Sequence, residues 1–179
     1  MDRTMASATA PWPELKIVGA DPVAARAMLS NIGGDNSEMS AVGLYFYNSI
    51  VTEPEDAVLA RTFHAVMLVE MHHLELFAKL ALQLGADPRL WSQQRRRMLY
   101  WSPRALQYPL EREELLENAL RTELTAIAQY QQQMDVIGDP NIRAILGRVI
   151  EDEQLHVDLF AALMEGKDPD TVLRRGLGG

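Results

Sequence analysis

An internal repeat of acidic residues and histidines constrains the fold of this chain more than any other feature. Glu38 opens the pattern E-x-x-A-x-x-x-Y, which recurs from Glu123. A second pattern, E-x-x-H, occurs twice in the sequence, beginning at Glu70 and at Glu153. The two glutamates lie 32 residues apart in one half and 30 residues apart in the other. Each half therefore predicts the same unit, a hairpin of two helices.

Capping residues, prolines and glycines mark where the helices begin and end. Asp21 and Pro22 predict the start of a short helix that Gly33 and Gly34 end. Four long helices follow: from the caps Asp35, Asn36 and Ser37 to about Val51, from a capping box at 52–55 to Gly85, from Pro109 to Gly138, and from Asp139-Pro140 to Gly166. Long period-two alternation is absent from the sequence, so strands are not expected.

The lengths of the connections predict how these helices pack. Two connections are short (52–54 and 138–140) and one, roughly 86–108, is long. This order predicts an all-α, up-down four-helix bundle made of two helical hairpins joined by a long crossover. We expect residues 1–34 to form an arm and a short helix on the bundle, with the bundle itself at 35–166. The tail at 167–179 is either a docking peptide or an inert end.

Composition narrows the partners and the chemistry of such a bundle. The chain has 25 acidic and 17 basic residues, a formal charge of −8, which argues against nucleic acid or an anionic membrane as partner. We expect the aromatic residues of the crossover to pack on the bundle. We expect its arginines to pair with acidic helix faces. No apolar run reaches a membrane span of roughly 18 residues, and no signal peptide is evident, so we predict a cytoplasmic protein.

Helical spacing places metal-ligand side chains inside the bundle. Residues three apart share a helix face, so each glutamate of E-x-x-H converges with its histidine, within an apolar stripe. Four carboxylates in a low-dielectric core need protons or cations to neutralise them, and two divalent ions supply four positive charges. The sequence has no cysteine to serve as a ligand. We therefore predict a dimetal site with these six ligands: Glu38, Glu70, His73, Glu123, Glu153 and His156.

Two tyrosines follow the first-helix glutamates at the same spacing. Tyr45 and Tyr130 lie two turns beyond Glu38 and Glu123. They are either ordinary core aromatics or hydrogen-bond donors to the ligands. A bundle without metal, in which the polar core holds shared protons, is a further possibility.

Taken together, these motifs resemble the ferritin-like dimetal-carboxylate superfamily of ferritins, bacterioferritins, rubrerythrins and manganese catalases. The resemblance covers about residues 21–164. The segment from Gly33-Gly34 to Glu38 resembles the G-G-x-x-x-E sequence of manganese catalases and their spore-coat relatives, and the E-x-x-H motifs are equally typical of rubrerythrins. The resemblance implies the same six ligands, with Glu70 and Glu123, or their counterparts in the repeat, bridging the two metal ions.

The sequence departs from these families in ways that narrow the branch. Leu120 stands where typical rubrerythrins have an additional carboxylate ligand. The absence of cysteine implies no rubredoxin domain and no built-in route for electrons. Met71 follows Glu70, as the haem-ligating methionine of bacterioferritins follows a metal-binding glutamate, so the resemblance also suggests a haem ligand at Met71.

By resemblance, the function is that of an oxidoreductase with two manganese or iron ions that acts on hydrogen peroxide and protects against oxidative stress. A catalase needs no external electrons, whereas a peroxidase needs a separate electron donor. The alternative is a ferroxidase that oxidises iron(II) with dioxygen or peroxide and binds or stores the iron. In either case the resemblance implies a homo-oligomer.

Overall fold

Two antiparallel helical hairpins form the body of the fold, as shown by a computed structural model that describes residues 6–94 and 97–176. The helices are α1 (Pro22–Gly33), α2 (Glu38–Thr52), α3 (Ala57–Gln83), α4 (Arg112–Val136), α5 (Pro140–Met164) and α6 (Asp170–Gly176). Helix α2 packs along α3 and α4 along α5, and contacts of α3 with α5 and of α2 with α4 join the two hairpins. This arrangement is the predicted four-helix bundle.

Side-chain caps explain where most of these helices begin. Asp21 caps α1, because its Oδ1 accepts hydrogen bonds from the amides of Val23 (2.8 Å) and Ala24 (3.0 Å). Asp139 caps α5 in the same way, and Ser37 caps α2. These three helix starts confirm the predictions from the sequence.

Two predicted helix starts are wrong. Helix α3 begins at Ala57, because Oδ1 of Asp56 accepts a hydrogen bond from the Leu59 amide at 3.0 Å. The predicted capping box at 52–55 instead belongs to a turn in which the Asp56 amide donates to the Thr52 carbonyl. Helix α4 begins at Arg112, three residues later than predicted from Pro109.

The crossover contains a small antiparallel hairpin, so the expectation of no strands is wrong there. Its strands are β1 (Trp91–Gln94) and β2 (Arg97–Tyr100). Trp91 pairs with Tyr100 across the strands, with ring centroids 5.6 Å apart. Arg89 pairs with Asp87 at 2.8 Å within the crossover. The expected pairing of the crossover arginines with acidic helix faces stays a prediction. The expectation for Arg95 and Arg96 lies outside the described residues.

The end of the crossover lies against α2, close to the polar centre of the bundle. Trp101 donates a hydrogen bond from Nε1 to Oγ of Ser40 at 2.9 Å, which confirms the expected packing of a crossover aromatic on the bundle. A 3₁₀ turn at Pro103–Ala105 then leads to Leu106, which lies next to Gly43 of α2.

Two apolar clusters fill the bundle and leave a polar layer between them. The first is built around Tyr45, Phe63 and Phe160, and the second around Phe77 and Tyr130. Helices α3, α4 and α5 each pass from one cluster to the other. Between the two clusters, these helices carry five of the six predicted ligands. They are Glu70, His73, Glu123, Glu153 and His156.

The two ends of the described chain cover one side of the bundle. Arg148 of α5 donates to the carbonyls of Ala8 (2.7 Å) and Ala10 (2.8 Å) and so holds the N-terminal arm. After α5, Pro169 is buried and Leu173 of α6 packs on the first apolar cluster. Within the described ranges, we find no helix long and apolar enough to cross a membrane.

Replacing Gly33 with alanine tests the packing of α1 on the crossover hairpin. A Cβ at this position meets the Trp91 amide nitrogen at 2.2 Å. Since the contact is with backbone, we expect Gly33→Ala to lower the free energy of unfolding by about 1–3 kcal/mol, measured by urea denaturation.

Gly147 of α5 provides the matched control. A Cβ there has only Met134 Cε within 4 Å, at 3.8 Å. Gly147→Ala is therefore expected to stabilise the chain by up to about 1 kcal/mol, from helix propensity. Unchanged stability of Gly33→Ala in the same assay contradicts the close approach of helix and strand.

Candidate metal centre

The six predicted ligand residues come together at the centre of the bundle, and none of them exposes more than 2% of its surface. They form two groups whose ligand atoms lie within 4.8 Å of one another: Glu38, Glu70, His73 and Glu153, and Glu70, Glu123, Glu153 and His156. Each group contains carboxylate oxygens and one imidazole nitrogen. Both groups could therefore hold a metal ion.

Glu70 and Glu153 belong to both groups, and each points one oxygen at each histidine. Nδ1 of His73 lies 3.2 Å from Oε2 of Glu70 and 3.3 Å from Oε1 of Glu153. Nδ1 of His156 lies 3.0 Å from Oε1 of Glu70 and 3.1 Å from Oε2 of Glu153. Glu123 belongs to one group only. Glu70 and its repeat counterpart Glu153 are therefore the two glutamates that both groups share. Which glutamates bridge two metal ions stays a prediction.

The outer nitrogen of each histidine faces a hydrogen-bond acceptor that the sequence prediction missed. Nε2 of His73 lies 3.0 Å from Oδ2 of Asp152, and Nε2 of His156 lies 2.9 Å from the carbonyl oxygen of Ala6. An Nε2–H donor on each neutral imidazole leaves the Nδ1 lone pair facing the carboxylates. Asp152 could have been suspected as an acid next to Glu153. A backbone acceptor such as Ala6 leaves no signal in the sequence.

The two tyrosines bind the ligand glutamates crosswise. The Tyr45 hydroxyl donates to Oε1 of Glu123, and the Tyr130 hydroxyl donates to Oε1 of Glu38. Burial, followed by the neighbouring carboxylates, raises the pKa of both tyrosines well above the usual value, so both remain donors at neutral pH. This geometry favours the donor interpretation over that of ordinary core aromatics.

The glutamates divide into two kinds when no metal is bound. Burial raises the pKa of Glu38 and Glu123, and the charges of Glu70 and Glu153 add to the effect. Burial acts in the same direction on Glu70 and Glu153, but the two histidines outweigh it and hold both pKa values below the usual range. Without metal, these surroundings therefore favour the protonated form of the first-helix glutamates and the ionised form of the shared pair.

The histidines balance this shared pair. Burial alone lowers the pKa of His73 and His156, but the surrounding carboxylates outweigh it and raise both pKa values well above the usual one. Without metal, the carboxylates therefore favour the charged form of both imidazoles. Metal ligation would require the deprotonated forms of the two histidines and of Glu38 and Glu123.

A cavity of about 220 Å³ reaches the centre from the side of α2 and α4 and is lined by all four glutamates. Its outer part is lined by Asp35, Leu106 and Arg121, among others. Arg121 donates from Nη2 to Oδ1 of Asn118 (2.6 Å) and to Oε1 of Gln107 (3.0 Å). The centre thus has a polar access route on its glutamate side, while its histidines face Asp152 and the arm.

Met71, the suggested haem ligand, lies outside this centre. Its side chain is 50% exposed on α3, whereas Glu70 beside it is buried. Haem binding at Met71 stays a prediction.

Comparison with known proteins adds to this geometry. The sequence model of the Rubrerythrin family matches residues 36–164 of the chain. The chain belongs to the rubrerythrin family. The matched segment includes every residue of the candidate metal centre except the outer acceptor Ala6. Curated proteins give no sequence match to this rubrerythrin-family chain.

Solved structures confirm the ferritin-like fold of this rubrerythrin-family chain. A crystal structure of KatB, a manganese catalase from Anabaena, has a TM-score of 0.77 and 21% identity and covers 89% of this chain and 80% of that one. A structure of wild-type KatB has a TM-score of 0.79 and 19% identity, and the match covers 88% of this chain and 78% of that one. Bacterioferritin BfrA of Mycobacterium tuberculosis has a TM-score of 0.67 and 20% identity, and the match covers 89% of this chain and 96% of that one.

Proton release tests the charge state of the metal-free centre. The raised pKa values of Glu38, Glu123, His73 and His156 favour their protonated forms when no metal is bound. Ligation requires their deprotonated forms, so addition of Mn(II) should release up to four protons per chain and bind more tightly as pH rises. Potentiometric titration with Mn(II), together with chelator competition between about pH 6 and 8, measures both effects.

Glu38→Gln is the control for this titration. Glutamine has the shape of a protonated glutamate but no acidic proton, so the variant should release fewer protons per metal ion bound. Metal binding without proton uptake or release, and with an affinity independent of pH, contradicts the charge assignment.

Proposed function

We propose that the chain is an oxidoreductase that holds two divalent ions, manganese or iron, and disproportionates hydrogen peroxide. The observation that carries the proposal is the pair of overlapping ligand groups that share Glu70 and Glu153. Groups that share two carboxylates are suited to two neighbouring ions. In this assignment, Glu38 and His73 would hold one ion, Glu123 and His156 would hold the other, and Glu70 and Glu153 would contribute to both.

The donor atoms fit such ions. Among the described residues, Oε1 of Glu70 and Oε1 of Glu153 are buried without a well-aligned hydrogen-bond donor, although a histidine nitrogen lies near each. Four ionised glutamates balance the charge of two divalent ions, and carboxylate with imidazole suits both manganese and iron. A buried oxygen that lacks a donor is costly unless a cation takes that place.

Two bound ions would supply a two-electron redox change, and the chain itself would supply positions, protons and a dry site. Tyr45 and Tyr130 hold Glu123 and Glu38 through their hydroxyl groups. In disproportionation, one peroxide is reduced to two waters, and the other is oxidised to dioxygen and gives up two protons. Glu38 and Glu123 line the cavity, and their carboxylate oxygens can hold these protons until the waters form.

Two findings favour peroxide disproportionation over a peroxidase reaction. Hydrogen peroxide is both oxidant and reductant, so the reaction needs no electron donor, and these 179 residues contain no cysteine for a thiolate-bound relay. Of the two neighbours described above, KatB has the higher TM-scores, and KatB is a manganese catalase. We accordingly propose a protective role against oxidative stress, in the cytoplasm, with hydrogen peroxide as the small-molecule partner.

Ferroxidase activity is the second candidate, and the acidic lining of the cavity favours it. Asp35 near the surface and Glu38 deeper inside provide carboxylates along one route, which suits entry of iron(II) as a substrate. The bacterioferritin neighbour matches over 96% of its own length. In this reaction, dioxygen or peroxide accepts the electrons from iron(II).

The deciding experiment loads the purified chain with manganese or iron and measures oxygen evolved from hydrogen peroxide. Metal content is determined on the same samples. Oxygen evolution by the loaded protein supports disproportionation. Consumption of iron(II) with dioxygen, without oxygen evolution from peroxide, supports the ferroxidase instead.

The ligand assignment is tested by Glu153→Ala combined with His156→Ala. Both side chains are buried in the centre, so the double variant should lose most bound metal and all activity while retaining its helical circular dichroism. Glu151→Ala is the control on the same helix, because the Glu151 side chain is 53% exposed. Full metal occupancy in the double variant contradicts the assignment.

The access route is tested on α4 by a matched pair of substitutions. Ala126 lines the cavity, whereas Ala128 is exposed on the outer face of the same helix. Ala126→Phe should lower kcat/KM for peroxide by at least about tenfold by blocking entry, with metal content unchanged. Ala128→Phe should leave both unchanged, and equal kinetics for the two variants contradict this route.

A further inference from the structure

The repeat is broken at the residue before each E-x-x-H motif. Asp152 precedes Glu153 in the second half, and Val69 precedes Glu70 in the first. Asp152 accepts the outer hydrogen bond of His73, which belongs to the opposite hairpin. By the symmetry of the repeat, position 69 should provide the acceptor for His156, but valine has no polar atom.

The N-terminal arm fills this gap. The carbonyl oxygen of Ala6 lies 2.9 Å from Nε2 of His156, although 150 positions separate the two residues along the chain. Ala6 is 1% exposed and packs in the first apolar cluster, with Leu173 of α6 packed against the same cluster. A buried backbone acceptor therefore stands where the repeat lacks a side-chain acceptor.

The same arm also reaches His73, through Asp152. Oδ1 of Asp152 accepts hydrogen bonds from the Ala8 amide (2.6 Å) and the Ser7 hydroxyl (3.0 Å), while its Oδ2 faces His73. Arg148 pairs with Asp152 at 2.8 Å and also donates to arm carbonyls. The arm, Arg148 and Asp152 thus form one hydrogen-bonded network behind both imidazoles.

We propose that this arm, residues 6–10, is a positioning element of the metal centre and not simply a cover for the core. The Ala6 carbonyl holds His156 with its proton on Nε2 and its Nδ1 free for metal. The arm and Arg148 hold Asp152, which does the same for His73. The inference rests on the proposed metal binding but is independent of the peroxide reaction.

The arm contacts His156 directly and His73 only through Asp152, and this difference defines the test. A variant lacking residues 1–8 is compared with the full chain, each alone and combined with His156→Ala or His73→Ala. The readouts are Mn(II) affinity and stoichiometry, from chelator competition and elemental analysis. Loss of an outer partner of a histidine ligand weakens metal binding by about tenfold to hundredfold.

We expect the deletion to weaken Mn(II) binding by about that factor in the full chain and in His73→Ala. The weakening should be smaller in His156→Ala, where only the indirect contact through Asp152 is lost. Arg148→Met releases the arm without shortening the chain, and should weaken binding in the same direction. It keeps the proposal testable if the deletion variant does not fold.

If residues 6–10 only cover the core, we expect a different result. Both variants would then lower the melting temperature by similar amounts in every background and leave Mn(II) affinity unchanged, which overturns the proposal.

The outcome is separable from that of the proposed function because metal binding is read without turnover. Coupling to His156 in a chain that evolves no oxygen supports the arm and removes the peroxide reaction. If the chain evolves oxygen but the effect of the arm on Mn(II) affinity does not depend on His156, the peroxide reaction is supported and the proposal for the arm is overturned. A chain that binds no metal in either form overturns both.

Discussion

The bundle depends on neutralising four carboxylates and two imidazoles inside its core. Folded domains are stable by about 5–15 kcal/mol, and even one unpaired buried charge costs several kcal/mol. In the metal-free chain, the pKa shifts act in the direction that meets this constraint. They favour protons on the first-helix glutamates and on the two imidazoles, and ionised forms of the shared glutamates. The polar layer is therefore compatible with the two apolar clusters that enclose it.

The surroundings of this layer differ between its two sides. The glutamates line a cavity that opens between α2 and α4, whereas the histidines face Asp152 and the buried Ala6 carbonyl. The carboxylate side of the layer is therefore the side that a small polar molecule can reach. The imidazoles, fixed from behind, keep their orientation.

Much of the fold and the ligand set could be predicted because both follow from local spacing. Gly, Pro and Asp marked most helix ends, and the i, i+3 relation brought each histidine to its glutamate. Other features depend on competition or on tertiary contacts. Asp56 caps α3 in place of the predicted capping box, because its side chain accepts a hydrogen bond from the Leu59 amide. The two strands have four residues each and are too short to show alternation in the sequence.

The shared glutamates and the outer partners of the histidines could be identified only from the three-dimensional structure. The repeat relates Glu38 to Glu123 and Glu70 to Glu153, and only the packing shows that Glu70 and Glu153 each face both histidines. The acceptor from Ala6 is a backbone atom, for which residue type carries no information. The sequence shows an acidic residue at Asp152 but not its contact with His73, because His73 lies on the opposite hairpin.

The outer partners also make the two halves of the centre chemically different. His73 faces a carboxylate, whereas His156 faces a neutral peptide carbonyl. A charged acceptor makes an imidazole more basic and a stronger donor to a metal than a neutral acceptor does. Two ions in the proposed positions would therefore differ in affinity and redox potential even though the repeat supplies each with the same residue types. An acid before one motif and a valine before the other are enough to break the symmetry, because the arm that compensates for the valine carries no charge.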